Sequence, residues 1–136
     1  MAFDLDEAWV AKSEAALGAR LPQAYRLAMM RENGGEFIAA GEEWQLHPIL
    51  DGSARQRLAR TCNDIVRETR VAAEWPGFPP HAVVIAANGS GDCVVFLRAG
   101  DEYGAAPCLW SHETRALARL ADDFGVLVPD RQGPPP

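Results

Sequence analysis

The residues whose types could do chemistry gather in a few short stretches. Residues 88–92 read Asn-Gly-Ser-Gly-Asp and follow directly on the apolar run Val83-Val84-Ile85. Two glycines around a serine could form a phosphate cradle, a metal loop or a plain turn. A phosphate cradle needs the free N–H groups of a helix that starts after the glycines. The residues that follow are Cys93-Val94-Val95-Phe96-Leu97 and then Arg98-Ala99-Gly100-Asp101, which read as a β-strand and its end. The stretch is therefore predicted to be a β-hairpin turn, with Asn88, Gly89 and Gly91 tolerating positive φ and the Asp92 carboxylate accepting turn N–H bonds. Ser90 has Asn88 in place of the glycine two positions earlier, so it does not form a nucleophile elbow.

The other reactive types are scattered. His47, His81 and His112 lack the i, i+4 or H-x-H spacing of a metal pair. Cys62, Cys93 and Cys108 are odd in number and without C-x-x-C spacing, which points to free thiols and away from a disulfide framework or a zinc knuckle. The neighbours in Glu42-Glu43 and Asp122-Asp123 point apart on a strand or a helix, so neither pair makes a shared-proton dyad. His112-Glu113 juxtaposes an imidazole and a carboxylate at a strand-to-helix junction, where a structural role is expected, with Ser111 as a cap and Glu113 favoured by the positive helix end. Asn88-Gly89-Ser90 is formally a glycosylation sequon, but no secretory signal accompanies it. No catalytic, metal-binding or cofactor-binding residues are expected.

The elements that must position these residues follow from periodicity. A first helix is predicted from about Asp6 to Leu17, with Trp9, Val10, Ser13 and Leu17 on its buried face, and Gly18 stops it. Pro22 restarts a second helix carrying Tyr25, Ala28, Met29 and Met30, which ends at Asn33-Gly34-Gly35. Strands are expected at Glu36–Ala40 and Trp44–Leu50, the latter an edge strand or ending near Pro48. A long helix from about Ser53 to Glu74 would bury Leu58, Cys62, Ile65, Val66 and Thr69. Residues 75–80, Trp-Pro-Gly-Phe-Pro-Pro, break it. Strands Ala82–Ala87, Cys93–Arg98 and Pro107–Trp110 follow, then a last helix of about Glu113–Phe124 facing Leu117, Leu120 and Phe124 inward. The sum is an α+β fold, a five-stranded twisted antiparallel or mixed sheet covered by about four helices, in one domain over residues 1–128. Residues 129–136 are expected to be a disordered proline-rich tail.

A chain of 136 residues with 48% hydrophobic residues can bury one core. Its net charge is −6, and Lys12 is the single lysine beside twelve arginines. Such a surface lacks the basic face that phosphate neutralisation requires, so nucleic acid is not an expected partner and a basic protein is. No run is long enough to span a bilayer, and the N-terminus lacks a charged region followed by an apolar one. A cytoplasmic protein without membrane contact, a monomer or weak dimer, is expected.

The segments Leu17-Gly18-x-x-Leu21-Pro22-x-x-Tyr25, Asn33-Gly34-Gly35, Trp44-x-Leu46-x-Pro48, Ala87-x-Gly89-x-Gly91-Asp92, Trp110-Ser111-His112-Glu113 and Phe124 occur in this order. Together they resemble the SUKH superfamily, and within it the branch named after a fungal cell-wall assembly regulator. The match runs from about Trp9 to Phe124. The resemblance implies a domain without chemistry of its own that binds a toxin domain, often a nuclease, and blocks it. The fungal branch suggests a regulatory interaction module as the alternative, and a small-molecule binder or enzyme is a third class. Charge and loop position nominate Glu36, Glu42, Glu43, Asp51, Asp92, Asp101 and Glu102 as an acidic partner-binding patch that imitates nucleic-acid phosphates. Trp44 joins them as an aromatic anchor if exposed; its other reading, like that of Trp110, is a sheet core residue.

Overall fold

The computed structural model describes residues 2–131. Helix α1 (Glu7–Leu17) is capped by the Asp6 carboxylate, which accepts the Ala8 N–H, and it closes on Gly18 at φ 81°. Helix α2 (Gln23–Arg31) starts after Pro22 and buries Tyr25, Ala28 and Met29, as the spacing predicts. A six-stranded antiparallel sheet follows the order β1-β2-β3-β4-β7-β8, and β5-β6 form a separate small hairpin. Its members are β1 (Glu36–Ala39), β2 (Glu42–Leu46), β3 (Val83–Ala87), β4 (Cys93–Phe96), β7 (Cys108–Trp110) and β8 (Leu117–Arg119), with β5 at Arg98–Ala99 and β6 at Glu102–Tyr103. The α+β class holds, with one strand more in the sheet than five.

The sheet is apolar on both faces at its centre, because β3 and β4 are buried along almost their whole length. A bulge between Val84 and Ala86 lets Ile85 and Ala86 join one core, while Val84 faces the other way. The first core collects Val10, Leu21, Tyr25, Met29, Trp44, Ile85, Phe96 and Phe124. The second is smaller and holds Ala72, Val84, Cys93, Val95, Cys108 and Trp110. The loop at residues 75–80 covers it: Trp75 stacks on Trp110 at 5.9 Å between centroids and Phe78 meets the same ring edge-on at 5.3 Å. The Val84 N–H, beside the bulge, donates to the Thr69 hydroxyl at 2.9 Å.

Two predicted helices are corrected. The long helix of residues 53–74 is two short ones, α3 (Arg55–Arg60) and α4 (Ile65–Ala72). Asp64 breaks it by capping α4, its carboxylate accepting the Val66 and Arg67 N–H groups, and Thr61 turns its hydroxyl toward the Asp51 N–H. Short polar side chains compete with the helical backbone for such bonds. Leu58 and Cys62, expected inside, are exposed in consequence. The last helix is absent: residues 117–119 pair with β7 as β8, and Phe124–Val126 make one 3-10 turn. Residues 113–124 have good helix formers, yet strand pairing satisfies the outward peptide groups of β7, and that tertiary gain outweighs a weak local preference. Of the residues expected to form a disordered tail, Pro129–Arg131 make a 3-10 turn in which Arg131 is buried. Residues 132–136 lie outside the described residues.

Candidate functional site

The hairpin turn predicted at residues 88–92 is present between β3 and β4. Inside it the Asn88 side chain, rather than the Asp92 carboxylate, accepts the turn donors, its oxygen taking both the Ser90 N–H and the Ser90 hydroxyl at 3.0 Å. Asp92 reaches across to the β7–β8 turn, accepting the His112 N–H at 3.0 Å and meeting His112 Nδ1 at 2.8 Å. Gly91 allows this approach, because a Cβ there would lie 2.9 Å from the same ring. Burial pushes the Asp92 carboxyl up, but the His112 side-chain and backbone bonds outweigh it and hold the group below the usual carboxylate range. The partner of His112 is thus Asp92 rather than Glu113, and the pair ties two turns together. Ser111 is no helix cap; its hydroxyl accepts the Thr114 N–H within the turn.

The nominated acidic residues separate into three places. Glu36 and Glu43 are exposed on one face of the β1–β2 hairpin, and Glu42 stands at the hairpin end, where it accepts the Asn88 amide at 3.0 Å. Asp92 belongs to the same end of the sheet. Asp101 and Glu102 lie at the opposite end, in the β5–β6 hairpin beside Arg20, so they do not extend the patch. Asp51 is 1% exposed and belongs to the interior. Its carboxylate accepts the Ser53 N–H at 3.0 Å, the Ser53 hydroxyl at 2.6 Å and the Arg57 guanidinium at 3.2 Å. Desolvation raises that carboxyl, and the Ser53 and Arg57 bonds more than offset it, leaving it below the ordinary range. Trp44 is fully buried and donates its indole N–H to the Ala39 carbonyl at 3.0 Å, so it is core and not an anchor.

Register places what remains. Glu36 pairs with Gln45 and Ile38 with Glu43, and all four side chains are exposed while Phe37 and Trp44 point into the core. Ile38 is 76% exposed, the most of any large apolar residue described. The sequence alone does not single out this strip, two carboxylates around an isoleucine, because Ile38 reads there as an ordinary strand residue. The alternation eventually marks it: Phe37 and Ile38 cannot both face the core.

The reactive types elsewhere have bland surroundings. Burial raises the Cys93 thiol to about 12 and also lifts Cys108, which makes both poor nucleophiles. Desolvation lowers His47, with Glu68 opposing. Among the described residues no group of three or more His, Cys, Asp or Glu side chains is arranged to hold a metal, and no helix is long and apolar enough to cross a membrane. The family motifs prove to be joints of the scaffold. Asn33 is the clearest, with its amide donating to the Ile49 carbonyl and accepting the Ile49 N–H, both at 2.8 Å.

Neither a curated protein nor a solved structure was found to match the chain. The pattern of the SMI1 / KNR4 family (SUKH-1) matches residues 4–129, which takes in all of the elements described above except the last 3-10 turn, and the chain belongs to that family.

Proposed function

We propose that this chain is a non-enzymatic binding protein, an immunity protein that holds one cognate toxin domain and blocks its action in the cytoplasm. The observation that carries the reading is the family match over residues 4–129, because the superfamily's immunity and regulatory members act by engaging protein partners. The chemistry of the chain supports it. The Asp92–His112 pair and the Asp51 cluster are occupied in holding the fold, and the free thiols of Cys93 and Cys108 are buried in the second core. What the surface offers instead is a charge of −6 and an exposed strip at Glu36, Ile38 and Glu43. A basic partner suits that surface, and among toxin classes a nuclease has the positive substrate face that such carboxylates would occupy.

The test is coexpression in a bacterial host with the toxin domain encoded beside this gene, followed by size-exclusion chromatography of the mixture. Rescue of growth together with an equimolar complex is expected. Absence of both at protein concentrations of about 10 µM would refute the reading. Weak association with several unrelated host proteins would point to a regulatory module.

A further inference from the structure

We propose that the outer edge of β1 is a docking edge, onto which an extended segment of the partner with alternating basic and apolar side chains adds as a further strand. This deepens the proposed function and rests on it for the partner's identity. β1 ends the strand order, so among the described residues one side of it has no neighbouring strand. The Gly35 carbonyl accepts the Leu46 N–H at 2.8 Å, and Phe37 faces Trp44 in register. In an antiparallel pair every second residue turns its peptide groups to the partner strand, so Gly35, Phe37 and Ala39 face β2 while Glu36 and Ile38 turn theirs outward. Among the described residues, no backbone bond to these outward groups occurs besides those of the strand pairing. Edge strands are commonly blunted by shortness, charge, proline or a bulge; β1 is short, at four residues, and carries the charge of Glu36, but it has no lysine, proline or bulge.

A groove of about 660 Å³ runs beside this edge, bounded by Glu36, Phe37, Ile38 and Glu43 on one side and by Leu127 and Pro129 on the other. Its charge specifies the occupant. Two arginines, Arg31 and Arg131, face four carboxylates, Glu32, Glu36, Glu43 and Asp130. Arg131 is already paired with Glu32 at 2.6 Å. The neighbouring Glu43 carboxyl, close enough to share a proton and of like charge, lifts Glu36 above its ordinary range, so a cation between the two would relieve their repulsion. Basic side chains on one face of an added strand would settle on Glu36 and Glu43 with their aliphatic stems over Ile38. Apolar side chains on its other face would meet Phe37 and Leu127.

A second copy of this chain fits worse, since pairing β1 with itself brings the Glu36–Glu43 pairs of two copies together. The last five residues, Gln132 to Pro136, include three prolines and so lack the N–H groups a strand must offer.

The probe is a blocked synthetic peptide of alternating lysine and valine, with a glutamate–valine peptide as control, and amide exchange is followed by NMR. The lysine–valine peptide should slow exchange of the Glu36 and Ile38 N–H groups with a Kd of about 100 µM or tighter, and the control should not. Ile38→Pro removes an outward N–H that makes no bond among the described residues, and Glu36→Lys with Glu43→Lys reverses the charge without touching the core. Each should weaken binding of the peptide, and of the toxin domain, about tenfold or more, whereas Asp101→Lys at the opposite sheet end should not. A toxin complex that forms and keeps its affinity in both variants overturns the docking edge and leaves the immunity reading standing. Binding of the lysine–valine peptide at this edge without any toxin complex does the reverse. Concentration-dependent dimers abolished by Ile38→Pro would assign the edge to a second copy and overturn the proposal.

Discussion

Replacing Asn33 by alanine tests whether the Asn33-Gly34-Gly35 motif belongs to the scaffold. Asn33 is 6% exposed, and Ile49, which its side chain bridges at both N–H and C=O at 2.8 Å, is fully buried. Truncation therefore strands one N–H and one C=O together. A buried polar group left without a partner costs about 1–3 kcal/mol. Water can approach through the neighbouring groove lined by Asn33, Leu46 and Pro48, which favours the lower half of that range. Two groups at about 1.5 kcal/mol each give about 3 kcal/mol, a fall in Tm of about 10 °C for a domain of this size. Urea unfolding should show a lower midpoint at unchanged m, and toxin binding at 20 °C should survive. Asn33→Asp adds a sign. Its new carboxylate still accepts the Ile49 N–H but faces the Ile49 carbonyl, so its folded-state pKa is raised above the unfolded value. The protonated form donates to that carbonyl, so the deficit is full above the folded pKa and shrinks as pH falls below it. A loss under about 1 kcal/mol for alanine, or identical pH profiles for the two variants, would refute the assignment of these bonds as a structural joint.

Other expected outcomes concern groups the fold has taken inside. Asp51→Asn should destabilise without altering partner affinity. Because the native carboxyl is held low, its contribution is present above the unfolded pKa of about 4 and lost as pH falls through the folded one, so wild type and variant should converge in acid denaturation. The Tyr25 hydroxyl is buried and has no hydrogen-bond partner among the described residues, and desolvation raises its pKa. Tyr25→Phe should be neutral or stabilising by up to about 1 kcal/mol in urea titration, and a clear loss would reveal a bond to that oxygen. In the native protein a thiol reagent should modify Cys62 rapidly and reach Cys93 and Cys108 only on unfolding, as followed by mass spectrometry.

Periodicity, glycine and proline by themselves determined a good part of the fold: α1 with both its ends, α2 with its start, the hairpin at residues 88–92, and the α+β class. These are local matters of φ sign, capping and one apolar face. Family membership was legible as well, since the order of short motifs survives where each alone is weak. Tertiary structure decided the rest. Whether residues 113–124 coil or pair depended on an unsatisfied edge at β7, which lies far from any local window. Whether Asp51 and Trp44 faced a partner or the interior depended on Arg57, Thr61 and Phe37 arriving from other elements. The division of the acidic residues between opposite ends of the sheet followed from strand order, because antiparallel pairing sends successive turns to alternate ends. For the same reason the strip of Glu36, Ile38 and Glu43 exists only once β1 is left at the edge. Composition could announce that the chain is acidic, but only the register could say which carboxylates meet.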